Sequence, residues 1–433
     1  MPVVEIIARY RKHNMLTKEE ITALLESENP QTTSLLRDEA DRLRQEYVGN
    51  GIHLRALIEF SNYCIRNCAY CGIRRDNKKL PRYRMSPQEI IKTAAEAAEK
   101  GFLSVVLQSG DDLTYGPQVL AEVIREIKKT GIAVTLSVGE RPERDYAIWR
   151  EAGADRYLLK FETSDSELYR RLHPGSSLDK RLECIKQLKK LEYQTGSGNM
   201  VGLPGQTAAM LAEDIILMHR LKLDMAGIGP FLPHPATPLK DFPAGNLDLT
   251  LRVLALTRLL LPWSHLPATT ALRNIDAVES HAGAGSAAAG NAAATKTTCG
   301  NTCKSTGTSA FLKGTATLKN AAPGNTFAPG STAAPESTCR SNCVSTCTYT
   351  SSEGQRLALT GGANVLMVNL TPMKYRLLYE IYPKKTSPLE EYRQAQQLAA
   401  EIGRSVAADP GHGLSNERQG EERGDGSVQL ISK

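Results

Sequence analysis

The sequence predicts an α/β protein whose parallel strands close into a complete (β/α)8 barrel, and two observations support this fold class. Strand-like apolar runs alternate strictly with helix-like segments, which indicates a parallel sheet with right-handed crossovers. Eight strand candidates can be counted, and that number favours a closed barrel over an open sheet. The candidates are Leu54–Phe60, Ser104–Leu107, Ile132–Ser137, Arg156–Phe161, Thr195–Leu203, Met225–Ile228, Leu266–Thr270 and Val365–Asn369.

Helices are predicted before the barrel and between its strands. Thr17 is placed to cap a helix that begins at Lys18 and carries Ile21, Leu24 and Leu25 at helical spacing. The helix-like segments after residue 50 are Pro87–Lys100, Pro117–Lys129, Glu143–Ala152, Lys180–Leu191 and Glu353–Leu359. We divide the chain into an N-terminal helical extension (1–50), barrel strands one to seven (51–280), a low-complexity insertion (281–350), the completion of the barrel with C-terminal helices (351–405) and a polar tail (406–433).

The insertion after the seventh strand has an unusual composition. Residues 281–350 contain two Leu, one Val, no Ile and a single acid, Glu336. A stretch so poor in large apolar residues cannot offset its ordering entropy by burial, so we expect it to be disordered. Five cysteines within it could hold a metal, but their Thr/Ser/Gly context without Asp or His argues against a preformed site. They are Cys299, Cys303, Cys339, Cys343 and Cys347.

Overall composition argues against two classes of partner. The 433 residues carry 53 Lys+Arg against 47 Asp+Glu, and no basic stripe of the kind that nucleic-acid-binding proteins use is visible. The most apolar segment, Leu251–Trp263, is interrupted by Arg252 and Arg258 and is shorter than the roughly 20 residues of a membrane span. We recognise no secretory or transit signal, so a cytoplasmic location without nucleic-acid or membrane partners is expected.

Three cysteines on the loop after the first strand carry the chemistry. Cys64, Cys68 and Cys71 form a C-x3-C-x2-C motif. Three thiolates can bind three irons of a cubane 4Fe-4S cluster and leave the fourth iron open to a small chelating molecule. A zinc site or coincidental thiols are the alternative. A structural zinc site requires four ligands, however, and the next histidine after the motif is His173.

This spacing resembles that of the radical S-adenosylmethionine (SAM) superfamily. The resemblance implies a 4Fe-4S cluster and SAM as cofactors, with the amino and carboxylate groups of SAM on the open iron. It also implies one-electron cleavage of SAM to methionine and a 5′-deoxyadenosyl radical. Tyr70 stands where the superfamily packs an aromatic residue beside the adenine.

Further candidates for SAM contacts lie at predicted strand ends, where the chemistry of a barrel collects. Asp111 ends an element that resembles the Gly-Gly-Glu motif which grips the SAM amino group, although the family commonly has Glu there. Glu162 is placed to accept hydrogen bonds from the ribose, and Arg181 to pair with the carboxylate. Any one of these could equally be an ordinary surface residue. The full set is Ser109, Gly110, Asp111, Thr135, Ser137, Glu162 and Arg181.

A longer series of motifs resembles the HydE family of FeFe-hydrogenase maturases. It includes Cys71–Asn77, Arg82–Met85, Leu107–Gly110, Gly153–Leu159, Met200–Thr207, Gly227–Phe231, Pro267–Ala271 and Gly362–Val365. The resemblance implies action on a cysteine-bound iron with carbonyl and cyanide ligands, inside the barrel. A one-electron donor protein and other hydrogenase maturases are the implied partners. Some members carry three extra cysteines for a second cluster, but none lies after Cys347 here.

Candidate substrate residues follow from the charge of such a substrate. Anionic ligands require cations and hydroxyl donors, for which Arg156, Lys160, Thr269 and Thr270 are candidates. The cavity lining is expected to include Met225, Met367, Tyr375 and Tyr379, although they could equally pack the barrel. Methylornithine synthase and biotin synthase are alternatives with the same chemistry. A non-catalytic iron–sulfur carrier is the alternative of a different class.

Overall fold

A curled sheet of seven parallel strands forms the centre of the protein in this computed structural model, which describes residues 3–275, 353–379, 381 and 386–412. The strands are β1 (His53–Ser61), β2 (Ser104–Ser109), β3 (Ala133–Ser137), β4 (Arg156–Leu158), β5 (Gln194–Ser197), β6 (Met200–Val201), β7 (Met225–Ala226), β8 (Gly229–Pro230) and β9 (Val365–Asn369). The order in the main sheet is β7-β5-β4-β3-β2-β1-β9, and β6 pairs separately with β8. The predicted α/β class with a parallel sheet is therefore confirmed.

The segment between β8 and β9 lies against both edge strands of this sheet. His265 forms a parallel bridge to Met225 of β7, and Pro267 forms one to Val365 of β9. The backbone N–H of Ala268 donates to the Val365 carbonyl at 2.9 Å. The sequence predicts a continuous strand over 266–270, but the structure has two isolated bridges, and the chain is already helical at Thr270.

Helices surround the sheet and form the N-terminal extension. Their bounds are α1 (Val3–His13), α2 (Lys18–Glu26), α3 (Thr32–Val48), α4 (Pro87–Glu99), α5 (Pro117–Lys128), α6 (Glu143–Glu151), α7 (Ser166–Leu172), α8 (Leu178–Lys190), α9 (Ala208–Arg220), α10 (Leu247–Leu260), α11 (Glu353–Leu359), α12 (Met373–Arg376) and α13 (Pro388–Glu401). Thr17 and Ser86 each form a capping box, with Glu20 and Glu89 respectively, which fixes the starts of α2 and α4.

The most apolar sequence segment is the buried helix α10. Arg258 lies on this helix and is fully buried without an acidic partner among the described residues. Its guanidinium donates to the backbone carbonyls of Gly362, Pro262 and Ser264 at 2.7–2.9 Å. These hydrogen bonds explain how an arginine is tolerated in an apolar helix. No helix in the described part of the chain is long and apolar enough to cross a membrane.

The C-terminal segment packs against the amino-terminal ends of the strands. Val406 pairs with Ile52, and the carbonyls of Pro410 and Gly411 accept hydrogen bonds from Arg156 at 2.7 and 2.8 Å. The part of the predicted polar tail up to residue 412 is therefore held against the sheet. The predicted disordered insertion and residues 413–433 lie outside the described residues.

Candidate functional site

The loop that follows β1 brings the three cysteines to the carboxyl end of the sheet. Backbone hydrogen bonds hold it on two sides: Ile65 donates to the Asp111 carbonyl at 3.1 Å, and Ala69 donates to the Leu172 carbonyl at 2.8 Å. The N–H of Asp111 points to the Cys64 sulfur at 3.4 Å. The loop is thus fixed by β2 and α7, which position the thiols.

All three thiols line one cavity of about 370 Å³ at this end of the sheet. Most of the residues that the sequence singled out line the same cavity. They are Cys64, Cys68, Tyr70, Cys71, Ser109, Gly110, Asp111, Ser137, Lys160, Glu162, Arg181, Thr269, Thr270, Met367 and Tyr379. The geometry therefore brings together predicted cluster ligands, predicted SAM contacts and predicted substrate residues.

Burial raises the pKa of each of these thiols. The Asp111 carboxylate adds to the effect on the pKa of Cys64, and the neighbouring Cys71 and Cys64 add to that on Cys68. For Cys71, burial and then Cys64 raise the pKa to about 12. The metal-free thiols therefore stay protonated at neutral pH, and binding of iron would release their protons.

The donor set offered by the loop consists of three free cysteine thiols that share one cavity. Among the described residues, no three His, Cys, Asp or Glu side chains lie close enough to hold one metal ion together. Zinc would require four such ligands around one point. A cubane cluster instead places each thiolate on a different iron, and cysteine thiolates are the ligands that it takes.

A network of four charges lies at the cavity, and three of its members, Arg66, Asp111 and Arg181, line it. Arg66 donates to Asp111 at 2.7 Å and to Glu140 at 2.8 Å, and Arg181 donates to the other oxygen of Glu140 at 2.7 Å. Burial opposes the charge of Glu140, but Arg181 and Arg66 lower its pKa overall. The network is electrically balanced, and it fixes both the predicted partner of the SAM amino group and that of the carboxylate.

Glu162 has an uncommon backbone conformation beside a lysine. Its φ is +66°, in the left-handed region that residues other than glycine rarely adopt. Backbone hydrogen bonds with Gly198 and Met200, both 3.0 Å, hold it there, and its carboxylate pairs with Lys160 Nζ at 3.0 Å. A predicted ribose contact and a predicted substrate contact are thus paired with each other.

Tyr70 is held by a histidine that sequence reasoning did not assign to the site. The Nδ1 atom of His173 lies 3.1 Å from the Tyr169 carbonyl, so Nδ1 carries the proton and Nε2 accepts from the Tyr70 hydroxyl at 3.0 Å. Burial lowers the pKa of His173 to about 3, which keeps the ring neutral. The Tyr169 ring stacks on His173 at 4.1 Å and completes this support.

The cavity is also lined by a second set of polar residues that the sequence did not reveal. Glu391 accepts from Arg376 at 2.6 Å and also pairs with Arg273. Glu59 accepts from Asn369 at 2.8 Å. All five line the cavity. Asn369 and Glu59 lie on predicted strands. Arg376 on α12 and Glu391 on α13 are far from the other site residues in the sequence, and no sequence motif marked them as part of the site.

Four predicted residues do not line this cavity: Thr135, Arg156, Met225 and Tyr375. Arg156 is the first residue of β4, so it lies at the other end of the sheet and contacts Pro410 and Gly411 instead. The Tyr375 hydroxyl donates to Glu89 at 2.8 Å outside the cavity. The remaining two are buried in the sheet.

Comparison with known proteins identifies the family. A model of the radical SAM superfamily matches residues 58–218. The [FeFe] hydrogenase maturase subunit HydE of Thermotoga maritima is 41% identical over 352 residues, which cover 81% of this chain and 80% of the relative. The chain belongs to the HydE family. The resemblance seen in the sequence motifs is therefore confirmed.

Two other similarities extend beyond the HydE family. The 3-methylornithine synthase of Methanosarcina acetivorans is 30% identical over 273 residues, which cover 62% of this chain and 77% of the relative. The crystal structure of methylornithine synthase (PylB) aligns with a TM-score of 0.66 at 22% identity, covering 91% of this chain and 94% of the other. At that identity the structural match indicates a shared fold.

Proposed function

We propose that this HydE-family protein is a radical SAM enzyme that acts in assembly of the FeFe-hydrogenase H-cluster. Its substrate would be a cysteine-bound iron with carbonyl and cyanide ligands. One observation carries the proposal: three free thiols and the candidate residues for SAM and substrate line a single cavity. An iron–sulfur carrier would have no use for the candidate SAM contacts.

Cys64, Cys68 and Cys71 would hold the 4Fe-4S cluster. When bound and reduced, the cluster supplies the electron that cleaves SAM to methionine and a 5′-deoxyadenosyl radical. Glu140 accepts from the Nε of Arg181, and the Lys160 carbonyl accepts from Nη1. We therefore assign the contact with the SAM carboxylate to Nη2.

The remaining SAM contacts would come from the strand ends. Asp111 would accept from the amino group, Glu162 from the ribose, and Tyr70 would cover the adenine. Ser109, Gly110 and Ser137 line the same wall. A ribose hydroxyl that reaches Glu162 would compete with Lys160 for the carboxylate and release the ammonium toward the substrate.

Substrate binding would use the part of the cavity away from the cysteines. Lys160, Thr269 and Thr270 offer a cation and hydroxyl donors for an anionic iron complex, and Met367 and Tyr379 exclude water from it. Thr135, Arg156, Met225 and Tyr375 do not line the cavity, so we assign them no contact with SAM or substrate.

We further propose that residues 265–267 act as the eighth strand and close the sheet into a complete barrel. The two parallel bridges to β7 and β9 support this closure. We also propose that the chain divides into the segments 1–50, 51–280, 281–350, 351–405 and 406–433. A cytoplasmic location is proposed as well, because thiols stay reduced in that compartment. A one-electron donor protein and other hydrogenase maturases are the proposed partners.

Two assays on anaerobically reconstituted protein test this function. Reduced wild-type protein should form 5′-deoxyadenosine from SAM and should support activation of apo-hydrogenase together with the other maturases. A Cys68→Ala variant should lose both activities, whereas Cys184→Ala, at a buried cysteine away from the cavity, should retain them. Cluster-loaded wild-type protein that leaves SAM intact would refute the enzyme assignment.

A further inference from the structure

The outer side of the cysteine loop carries a surplus of positive charge. Between residues 65 and 84 the chain has seven Lys or Arg residues and one acid, Asp76. Two of the seven, Arg66 and Arg84, are neutralised by carboxylates outside the loop. Lys78 and Lys79 are exposed and have no ion pair among the described residues. A net positive surface therefore remains on the loop that carries the cysteines.

The single acid does not cancel this surplus. Asp76 pairs with Arg75 at 3.4 Å and also accepts a hydrogen bond from the Asn67 amide. Arg74 has only the Asn67 amide oxygen, at 2.8 Å, as its side-chain partner among the described residues. Arg82 donates only to backbone carbonyls, among them those of residues 73 and 74 at 2.8 and 2.6 Å. These bonds fold the loop into one unit and hold its cations in place.

We infer that the patch formed by Ile65, Arg74, Arg75, Lys78 and Lys79, called here the cluster-face patch, is the docking surface for an acidic one-electron carrier protein. The inference rests on the proposed function, since only a redox cluster needs an external electron. The patch is the outer surface of the same loop whose inner side presents the thiols to the cavity. A donor bound there would approach the cysteines from the other side of this loop, and electron transfer slows steeply with distance.

Two features of the patch suit a protein partner. Ile65, between Cys64 and Arg66, is 45% exposed and offers an apolar contact beside the charges. The backbone N–H of Arg75 donates to the Arg66 carbonyl at 2.8 Å, which brings the basic residues next to Ile65. An apolar contact with surrounding charge is the usual composition of a protein interface, and complementary charge accelerates association.

The test uses reduced flavodoxin, a small acidic flavoprotein, as the probe of the patch. We compare the wild-type protein with Lys78→Glu/Lys79→Glu and with a control, Lys92→Glu/Lys186→Glu, which makes the same change of net charge at exposed positions on α4 and α8. Binding of flavodoxin to cluster-loaded protein and the rate of 5′-deoxyadenosine formation are measured, with dithionite as the alternative reductant.

We expect the Lys78/Lys79 variant to bind flavodoxin about tenfold or more weakly, and to lose flavodoxin-supported turnover in proportion. Its rate with saturating dithionite should stay at the wild-type value, and added salt should reduce the flavodoxin rate of the wild-type protein. The control should bind flavodoxin as the wild-type protein does.

Several results would overturn the inference. Equal flavodoxin binding by the two charge-reversed variants would show that the patch is not the docking site, as would a wild-type protein that does not bind flavodoxin at low salt. Oligonucleotide binding that depends on Lys78 and Lys79, without a flavodoxin response, would assign the patch to nucleic acid instead. Failure of SAM cleavage with both reductants would refute the proposed function itself.

Discussion

Replacement of Glu140 by glutamine tests the buried charge network most directly. The Glu140 side chain is 2% exposed and accepts from Arg66 at 2.8 Å and from Arg181 at 2.7 Å. The variant keeps the size of the side chain but removes its charge. The two guanidinium groups of Arg66 and Arg181 are then balanced by one carboxylate, that of Asp111. Removal of one partner from a buried ion pair costs about 3–5 kcal/mol, so we expect a loss of about 3 kcal/mol in the free energy of unfolding.

Urea denaturation monitored by circular dichroism gives this free energy, and calorimetric titration of cluster-loaded protein gives the SAM affinity. The matched control is Glu167→Gln, because Glu167 pairs with Arg170 at 2.8 Å but is 62% exposed. Exposed pairs contribute about 0–1 kcal/mol. We also expect SAM affinity to fall in Glu140→Gln, since Arg181 loses the carboxylate that orients it. Unfolding free energies of the two variants within about 1 kcal/mol of each other would refute the reasoning.

Three further predictions concern the cysteine loop and its support. His173→Phe should cost about 1–3 kcal/mol, because the Tyr70 hydroxyl loses its acceptor, and combination with Tyr70→Phe should recover most of the loss in urea denaturation. Gly110→Ala should destabilise the protein by about 1–3 kcal/mol and impair cluster loading, because the added Cβ would come within 2.3 Å of a backbone oxygen. The control Gly116→Ala should leave stability unchanged, because its added Cβ would meet open space. The third prediction concerns Cys71 in the metal-free protein, whose pKa is raised from the usual 9.0 to about 12. At pH 8 its thiolate fraction should be about a thousandfold smaller than that of an ordinary cysteine. Its alkylation rate should therefore keep rising up to pH 11.

Each of these has an outcome that contradicts it. An additive double variant would mean that Tyr70 and His173 do not interact. Normal iron content in Gly110→Ala would show that the loop can move away from β2. Alkylation of Cys71 that levels off near pH 9 in the folded, metal-free protein, as measured by peptide mass spectrometry, would mean that burial does not suppress ionisation. The urea-unfolded protein provides the reference rate.

The residues that the sequence located best are those tied to a local motif or to a strand end. Three cysteines within eight positions, and the Gly110–Asp111 pair directly after β2, need no tertiary information. Their meeting in one cavity follows from parallel strands, whose carboxyl ends share one edge of the sheet. The same rule explains why Arg156 does not line the cavity: it is the first residue of its strand, not the last.

Other features depend on contacts that the sequence does not encode locally. Glu140 follows β3 like many surface acids, and only the fold brings it to Arg66 and Arg181. The predicted strand 195–203 is interrupted at Gly198, where φ is +145° and a Cβ would come within 2.1 Å of the Gly227 carbonyl oxygen. This close approach splits the run into β5 and β6, and periodicity alone could not reveal it.

Leu272 and Gly354, which lie on either side of the predicted insertion in the sequence, lie side by side in the structure. Gly354 packs so closely on the backbone of Leu272 that an added Cβ would come within 2.3 Å of the Leu272 carbonyl oxygen. Closing a loop between neighbouring points costs little more when the loop is made longer. The length of the connection between these two residues could therefore change in evolution at small cost, and a short artificial linker should serve in its place.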